Sequence, residues 1–592
     1  MRIESVRIKG FRNFDDETVC FARQTLVIGA NDVGKTNLIY ALRILFDKSL
    51  SARDLELLDS DYNVYTRAEK IEITAKLKDV HEDCLVSEFG GGVDDDGTLL
   101  VRYRNSKTGE YEIYTGFNEE NMRALPGRTY LKSLNLEYVK SNRDLGAFLR
   151  REKTKILSRA KENLEEAQAR SDDEDTMKIQ GLLNGINETV GELNFVKESL
   201  TTVNKELSDL SIQNSNQTVS FVAGSKDAST LLDNLVLSYT AESLPIALGG
   251  DGRNNQVFLA TWIAQQNISR SIDKVTMFAV EEPEAHLHPH QQRKMSDYLR
   301  NKFKEQVFVT THSPHIASAF TPKEIARLYE KNGRCTASAG GCSDTTKVAF
   351  DDFGYRINAI SSEAYFSNGI LLVEGISEKL LYTALSESIG IDLDRLNATV
   401  LSVDGVGFKP YAKICKALEI PYAIRTDNDI FVKTEGGKKK SYYAGLTRLM
   451  GIYADFKQGE SPLLDLYVHD YLKCLTWDSS LDRVPDDVRN CANTLTSGLA
   501  EIGFFVAGSD LEGDLADSSL VETLEDYYKT SDQEDLVKVM QAKKAENMYK
   551  FLAENQESIK SLKGSSIVEP LEFVRDAVIG SVPCAVEVAF NE

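Results

Sequence analysis

Glu374-Gly375-Ile376-Ser377-Glu378 follows the apolar run Ile370-Leu371-Leu372-Val373. A short apolar run bounded by a glycine turn reads as a buried strand. Glu374 then stands at its tip and Glu378 in the first turn of the next helix. The carboxyl end of such a strand is where α/β proteins place their ligands. The pattern recurs twice. Pro421-Tyr422-Ala423-Ile424 leads through Arg425-Thr426 to Asp427-Asn428-Asp429, and Phe504-Phe505-Val506 leads to Asp510-Leu511-Glu512. Alternate residues of an extended segment point the same way, so Asp427 and Asp429 can share one cation. A single acidic pair is usually a solvated loop. Three pairs after three strands, in the order E…DxD…DxE, are a set of hard oxygen ligands suited to magnesium or manganese.

A second chemistry lies upstream. The strand Thr25-Leu26-Val27-Ile28 runs into Gly29-Ala30-Asn31-Asp32-Val33-Gly34-Lys35-Thr36, a complete GxxxxGK[ST] phosphate loop, and an apolar helix follows. Backbone N–H groups from Asn31 to Gly34 can wrap the phosphates, Lys35 can reach their outer oxygens, and the Thr36 hydroxyl can ligate magnesium. Val275–Val280 ends in Glu281-Glu282, the acidic pair expected after a strand. One carboxylate would hold magnesium and the next orient the attacking water. Val307–Thr310 delivers Thr311-His312-Ser313-Pro314, where His312 can sense a γ-phosphate. The tract His286-x-His288-x-His290 runs into a proline and reads as part of the acidic-pair motif rather than a metal site.

These segments need a large scaffold. At roughly 100–200 residues per domain, 592 residues make three or four domains, with apolar content enough for full cores. Boundaries are expected at 1–144 and 213–345 for the two parts of the nucleotide module, 145–212 for a helical insertion, and 346–592 for the acidic module. Within the insertion, Ile179, Leu182, Ile186, Leu193, Val196, Leu200, Val203, Leu207 and Leu210 recur in alternating steps of three and four once Thr189 is counted. That is a heptad stripe, expected to dimerise. Asp172-Asp173-Glu174-Asp175 is expected to break it from a weaker helix carrying Leu157, Ala160, Leu164 and Ala167. The eight cysteines include no CxxC pair, and Cys335 and Cys342 are badly spaced for zinc, so all are expected as reduced thiols. No apolar run is long enough to span a membrane and no signal peptide opens the chain, which points to a cytoplasmic protein. The net charge of −22 looks wrong for a protein that binds DNA. An acidic cluster lowers that sum, however, and a local basic groove can still hold DNA. Lys438-Lys439-Lys440 after Gly436-Gly437 is one such patch, equally readable as a solvated loop.

The start Phe11-Arg12-Asn13-Phe14, the run Glu281-Glu282-Pro283-Glu284-Ala285-His286-Leu287-His288-Pro289 and the Thr311–Pro314 turn resemble ABC-type ATPases of the SMC/RecF/OLD group. The three acidic clusters resemble a Toprim domain, and the third favours the two-metal OLD version. The fold implied is α/β: an ABC-type ATPase with a helical dimerisation insertion, followed by a C-terminal Toprim domain. In that group nucleotide is sandwiched between protomers. The stretch matching the capping motif, Gly249–Gln256, departs from Ser-Gly-Gly-Gln, and Glu281 replaces the usual aspartate. Both put efficient ATP turnover in doubt. Lys543-Lys544-Ala545-Glu546-Asn547-Met548 resembles the late lysine motif of OLD nucleases. It implies Lys544, with Lys543 as the alternative, as the charge that stabilises the phosphate in flight.

The implied activity is metal-dependent DNA cleavage regulated by ATP–magnesium. Asp510-Leu511-Glu512-Gly513-Asp514-Leu515 and the Asn-Met after the lysine resemble the Gabija-type branch of the family. That branch implies anti-phage defence, a helicase-like partner of the GajB type and a dimer, tetramer or larger assembly. An OLD-type effector held by a retron's RNA–DNA element would keep the same core with another partner. A non-catalytic ATP-dependent clamp for DNA ends is the reading from a different class, and the intact acidic set argues against it. A topoisomerase would need a nucleophilic tyrosine in a separate domain, for which the chain has no room.

Overall fold

The computed structural model describes residues 1–107, 110–141, 164–210, 227–233, 239–241, 244–246, 273–342, 362–405, 407–456 and 461–581, with Leu157, Lys161 and Val219. The capping-motif stretch 249–256 lies outside these residues. The chain divides into two compact units, one of Met1–Ser141, Ser271–Glu284 and His288–Glu592, the other of Asn142–Arg270 with Ala285–Leu287.

The first unit begins with two six-stranded sheets. The first is antiparallel and includes Arg2–Phe11, Lys70–Lys78 and Leu99–Ser106. Lys70–Lys78 alternates, with Ile71, Ile73, Ala75 and Leu77 buried and lysine, glutamate and threonine between them, as a sheet with one solvated face requires. The second carries the phosphate loop. Its order is Arg334–Ala337, Ile325–Lys331, Gln24–Ile28, Val307–Thr310, Val275–Glu281, Leu134–Val139. The last five pair in parallel, and the inner strands are near-continuous apolar runs because both faces are covered. The helix Lys35–Phe46 buries Leu38, Leu42 and Leu45 in the core shared by the two sheets.

The acidic module is a four-stranded parallel sheet in the order Ala398–Ser402, Gly369–Val373, Tyr422–Thr426, Phe504–Val506. The first strand in sequence sits between the second and the third. The chain therefore winds in opposite directions from it, and a crevice opens at the carboxyl ends of Gly369–Val373 and Tyr422–Thr426. Glu374 and Asp427 are the residues next after those two strands. Helices Ile376–Ile389 and Glu569–Ser581 pack on the sheet through Leu381, Leu385, Leu571, Val574 and Val578.

Three side chains, Arg327 foremost, hydrogen-bond across the two modules of this unit. Arg327, on the strand beside the phosphate-loop strand, donates from Nη1 to the carbonyls of Leu418 (3.1 Å) and Glu419 (3.4 Å) and from Nη2 to that of Ser367 (3.1 Å). Ser338 Oγ adds a bond to Leu418 O at 2.7 Å, and Tyr329 OH one to Glu419 Oε2 at 2.5 Å. Leu418 and Glu419 follow the helix Phe408–Ala417, whose carbonyl end attracts a cation. Burial still pulls the guanidinium down to about 10.

In the second unit the helices Glu166–Glu192 and Asn194–Leu210 pack against each other. The acidic run 172–175 does not break the helix as expected; the break falls at Leu193. Aspartate and glutamate are tolerable helix residues, and Arg170–Glu166 and Lys178–Asp175 pair one turn apart across the run. The stripe therefore spans two helices. Leu183 and Val196 are buried, whereas Leu182, Ile186, Leu193 and Val203 stay exposed.

Candidate functional site

The nucleotide loop is built as its sequence requires. Gly29, Asp32 and Gly34 take positive φ, and the helix begins at Lys35. The Phe11–Phe14 turn braces it from below. Asn13 Nδ2 donates to Val33 O at 2.8 Å, Asn37 Nδ2 to Asn13 Oδ1 at 2.9 Å, and Arg12 Nη1 to Asn37 Oδ1 at 2.7 Å. Asn31 and Thr36 are exposed at its lip, and Lys35 is buried with Nζ on the carbonyls of Gly29 and Ala30. Burial pushes the Lys35 ammonium down to about 8. Glu281 ends its strand and accepts Tyr138 OH at 2.5 Å, while Glu282 stands 3.9 Å from His312 Nε2. Burial, and then Lys35, lowers His312. Glu284 has a role the sequence did not announce. It accepts the Thr311 hydroxyl at 2.7 Å and the His312 N–H at 2.8 Å, fixing the sensor turn to the acidic-pair segment.

The acidic crevice gathers its residues around cations. Lys544 Nζ lies 3.0 Å from Glu512 Oε2, 3.5 Å from Asp510 Oδ2 and 3.8 Å from Asp427 Oδ2. Against the pull of burial, these three carboxylates push the Lys544 ammonium up. Lys543 points elsewhere, to Glu546 at 3.2 Å. Asp510 caps the helix Leu511–Ala516 through Gly513 N–H at 2.9 Å and accepts Gln541 Nε2 at 2.7 Å, bonds that hold it low although burial works the other way. Glu512 is 1% exposed and raised by burial. Asn428 N–H donates to Ser509 O at 2.6 Å, tying the second acidic segment to the third.

Glu374 is held on the other side of the crevice. Its Oε1 accepts Arg448 Nη1 at 2.6 Å, Asp427 N–H at 3.0 Å and the Thr426 hydroxyl, which Arg448 also contacts. Glu378 is buried with Oε2 on Gly375 N–H at 3.1 Å. Asp427 is the most strained of the set. Burial, joined by Glu378 and Glu374, pushes its carboxyl up to about 7, although Arg425 lies 3.6 Å away. Its Oδ1 is buried with no hydrogen-bond donor among the described residues. Arg425 is itself 3% exposed and anchored 2.5 Å from Asp514. Asp429, two residues beyond Asp427, is exposed, and its carbonyl accepts Ala444 N–H at 2.9 Å.

The sequence did not single out Arg448, Arg425 or Gln541, and it marked Asp514 only as part of a family run, with no role. Each reaches the site from another element or as an unremarkable strand or helix residue. Among the described residues no three His, Cys, Asp or Glu side chains stand at ready-made metal-ligand spacing. The donor set nonetheless fits a hard divalent cation. It is all carboxylate, it is convergent enough for three members from two segments to share one ammonium, and it leaves Asp427 Oδ1 unsatisfied.

Fold and site together define a phosphate-loop ATPase fused to an α/β acidic crevice of the Toprim kind. The AAA ATPase domain family matches residues 1–123 and 98–317, more than half of the chain, and the Overcoming lysogenization defect protein-like, TOPRIM domain family matches 365–429. The chain is 26% identical over 477 residues to Endonuclease GajA of Bacillus cereus (strain VD045), covering 76% of this chain and 79% of that one. It is 23% identical over 463 residues to the OLD nuclease of Thermus scotoductus (strain ATCC 700910 / SA-01), covering 72% and 82%. Among solved structures, the C-terminal region of the Burkholderia pseudomallei OLD protein matches at 25% identity with a TM-score of 0.23, over 36% of this chain and 99% of that one. The chain belongs to the AAA ATPase domain family, and its acidic module carries an OLD-like Toprim domain, as its similarity to proteins named Endonuclease GajA and OLD nuclease leads one to expect.

Proposed function

We propose that this protein is a divalent-metal-dependent DNA endonuclease whose cleavage is governed by ATP–magnesium binding to its phosphate loop. The observation that carries the reading is the convergence of Asp427, Asp510 and Glu512 on Lys544, across a crevice edged by Glu374 and Glu378. Glu374, Glu378, Asp427 and Asp429 would hold one magnesium or manganese, and Asp510 and Glu512 a second. The ions would supply nucleophile activation and charge neutralisation at the phosphate. Lys544, half-exposed on a long stem, can turn from the carboxylates to the phosphate and offset charge developing there. Arg448 fixes the orientation of Glu374. The endonuclease name of the Bacillus relative supports DNA as substrate.

Control by nucleotide is supported by the short path between the sites. Arg327 pairs in register with Ile28, the residue before Gly29, and a side chain at Gly29 would come within 2.4 Å of Leu328 O. Arg327 also binds Ser367 O, two residues before the strand that leads into Glu374. A shift of the loop on binding phosphate is thus passed to the nuclease strand. A homodimer or tetramer is supported by the exposed stripe on the inserted helices. Cytoplasmic anti-phage defence beside a helicase-like subunit is the setting that the Gabija-type resemblance of the sequence implies, and the relative named Endonuclease GajA is in keeping with it. The test is nicking of supercoiled plasmid in magnesium or manganese by the parent and by Glu374→Ala. Equal activity in both would overturn the assignment.

A further inference from the structure

The hairpin that follows Asp429 has no part in the core of the acidic module. Ile430–Glu435 and Lys438–Tyr443 pair antiparallel with Glu435 opposite Lys438, leaving Gly436-Gly437 as a two-residue turn with φ of 58° and 79°. Two consecutive positive φ values define the tight turn that matches the twist of a hairpin, and only glycine adopts both without strain. The second strand also pairs with Thr476–Asp478, so Ile430–Glu435 is the edge strand.

Its surface is unlike the rest of a chain of net charge −22. Lys433, Lys438, Lys439 and Lys440 face a single acid, Glu435, within residues 430–443. Lys433 lies directly across from Lys440, and Glu435 contacts both, so the two lysines share one counter-ion. Phe431, Lys433, Glu435, Lys438, Lys440 and Tyr442 share one face by alternation, aromatic and basic positions outnumbering the one acid, whose Oε2 lies 3.2 Å from Lys440 Nζ and 4.0 Å from Lys433 Nζ. The rings of Phe431 and Tyr442 are 6.4 Å apart, and Lys433 Nζ is 5.5 Å from the Tyr442 ring. Ile430, Phe431 and Val432 are 51%, 50% and 57% exposed. Lysines that merely protect an edge strand from pairing belong on the edge strand itself. Here three of the four are on the inner strand, and the edge carries three exposed apolar residues.

The base of the hairpin is bound into the acidic crevice at both ends. Asp429 precedes it, Ala444 N–H closes it on Asp429 O at 2.9 Å, and the helix Ala444–Phe456 that follows carries Arg448 to Glu374. Six residues of strand reach about 20 Å from that base. A two-stranded antiparallel ribbon is an element that the major groove of B-form DNA admits.

We propose that this ribbon is a DNA-gripping arm, its lysines on the phosphates flanking the cleavage position and its exposed Phe431 edge against the groove. The proposal rests on DNA as the substrate and adds where and how the duplex is held. The test is equilibrium binding of a short fluorescent duplex, in calcium, across a salt series. The parent is compared with a variant carrying Lys433→Gln, Lys438→Gln and Lys440→Gln, and with a control carrying Lys302→Gln, Lys304→Gln and Lys331→Gln, three exposed lysines of the ATPase module. Removing one lysine–phosphate pair lowers the slope of log affinity against log salt by about 0.9. The ribbon variant is expected to lose roughly one to three units of slope and at least tenfold in affinity, with the control and all melting temperatures unchanged. Equal slopes in ribbon variant and parent overturn the arm. So does an unchanged slope with a reduced light-scattering mass, which would make the ribbon an interface between protein chains. A parent that binds no duplex overturns the DNA reading beneath it instead.

Discussion

Asp427→Asn offers a sharp test of the acidic crevice, because it should destroy cleavage while stabilising the metal-free fold. The Asp427 carboxyl is held at about 7, with burial the main cause, against an unfolded value near 3.8. The folded pKa of this acid is raised, so the fold prefers its protonated form and the ionised form opposes folding. That cost is absent below pH 3.8, grows as pH rises through the window up to about 7, and is level above it. About three units at about 1.36 kcal/mol each set an upper bound of about 4 kcal/mol. Asparagine keeps the shape and carries no charge. In chelator, thermal melts of parent and variant should coincide near pH 4 and diverge up to pH 7, with the variant higher. At roughly 2–4 °C per kcal/mol the gap is bounded at about 8–16 °C, with several degrees expected. Divalent metal should narrow it by lifting the parent more than the variant, which lacks one ligand of the first ion but keeps Asp510 and Glu512 for the second. A gap that is constant with pH, or of opposite sign at pH 8, would refute the argument.

Three further outcomes follow from the same geometry. Arg448→Met removes the counter-ion of Glu374, so the metal-free protein should lose about 1–3 kcal/mol and manganese should raise its melting temperature by more than it raises the parent's; an equal increment would make Arg448 a packing residue only. Arg327→Met should keep metal-dependent cleavage but flatten its response to ATP, with magnesium in excess and with hydrogen exchange at residues 367–374 no longer sensitive to nucleotide. Leu182→Glu with Ile186→Glu should lower the light-scattering mass without changing helix content, because both side chains are exposed in the single chain.

The parts of this molecule readable from sequence are those in which chemistry dictates local spacing. A phosphate cradle needs its glycines and lysine within eight residues, and an acidic strand end needs its carboxylates within three to five. The residues that organise those groups carry no such mark. Arg448 meets Glu374 across 74 positions and Arg327 meets Leu418 across 91, and an isolated arginine on a helix or strand looks the same whether it braces a site or faces water. The Phe11–Phe14 motif was legible as a resemblance, but its use, holding Val33 through Asn13, emerges only when the turn closes against the loop. The inserted helices misled for a different reason. A run of four acids looks like an interruption, yet helix ends are decided by capping and packing, and the chain turns at Leu193 instead.

The charges of the crevice also fix an order of events on the proposed reading. Glu374, Glu378, Asp427, Asp429, Asp510, Glu512 and Asp514 are set against Arg425, Arg448 and Lys544, so before any ion binds the site is acidic by about four charges with every carboxyl ionised and by about three while Asp427 keeps its proton. A phosphate approaching that field is repelled, and at a low effective dielectric the repulsion is large. With two divalent ions held by these carboxylates, the sum would come to about neutrality with Asp427 ionised, and Lys544 would be free to turn from the carboxylates to a phosphate. DNA held by a remote basic arm could bind without metal, but its scissile phosphate could not be seated. Metal must therefore enter first or together with the phosphate. Seating of the phosphate, read by a fluorescent base beside the nick position, should then rise with metal concentration even where overall duplex affinity does not. Seating that is independent of metal would show that the negative field is cancelled by some other means.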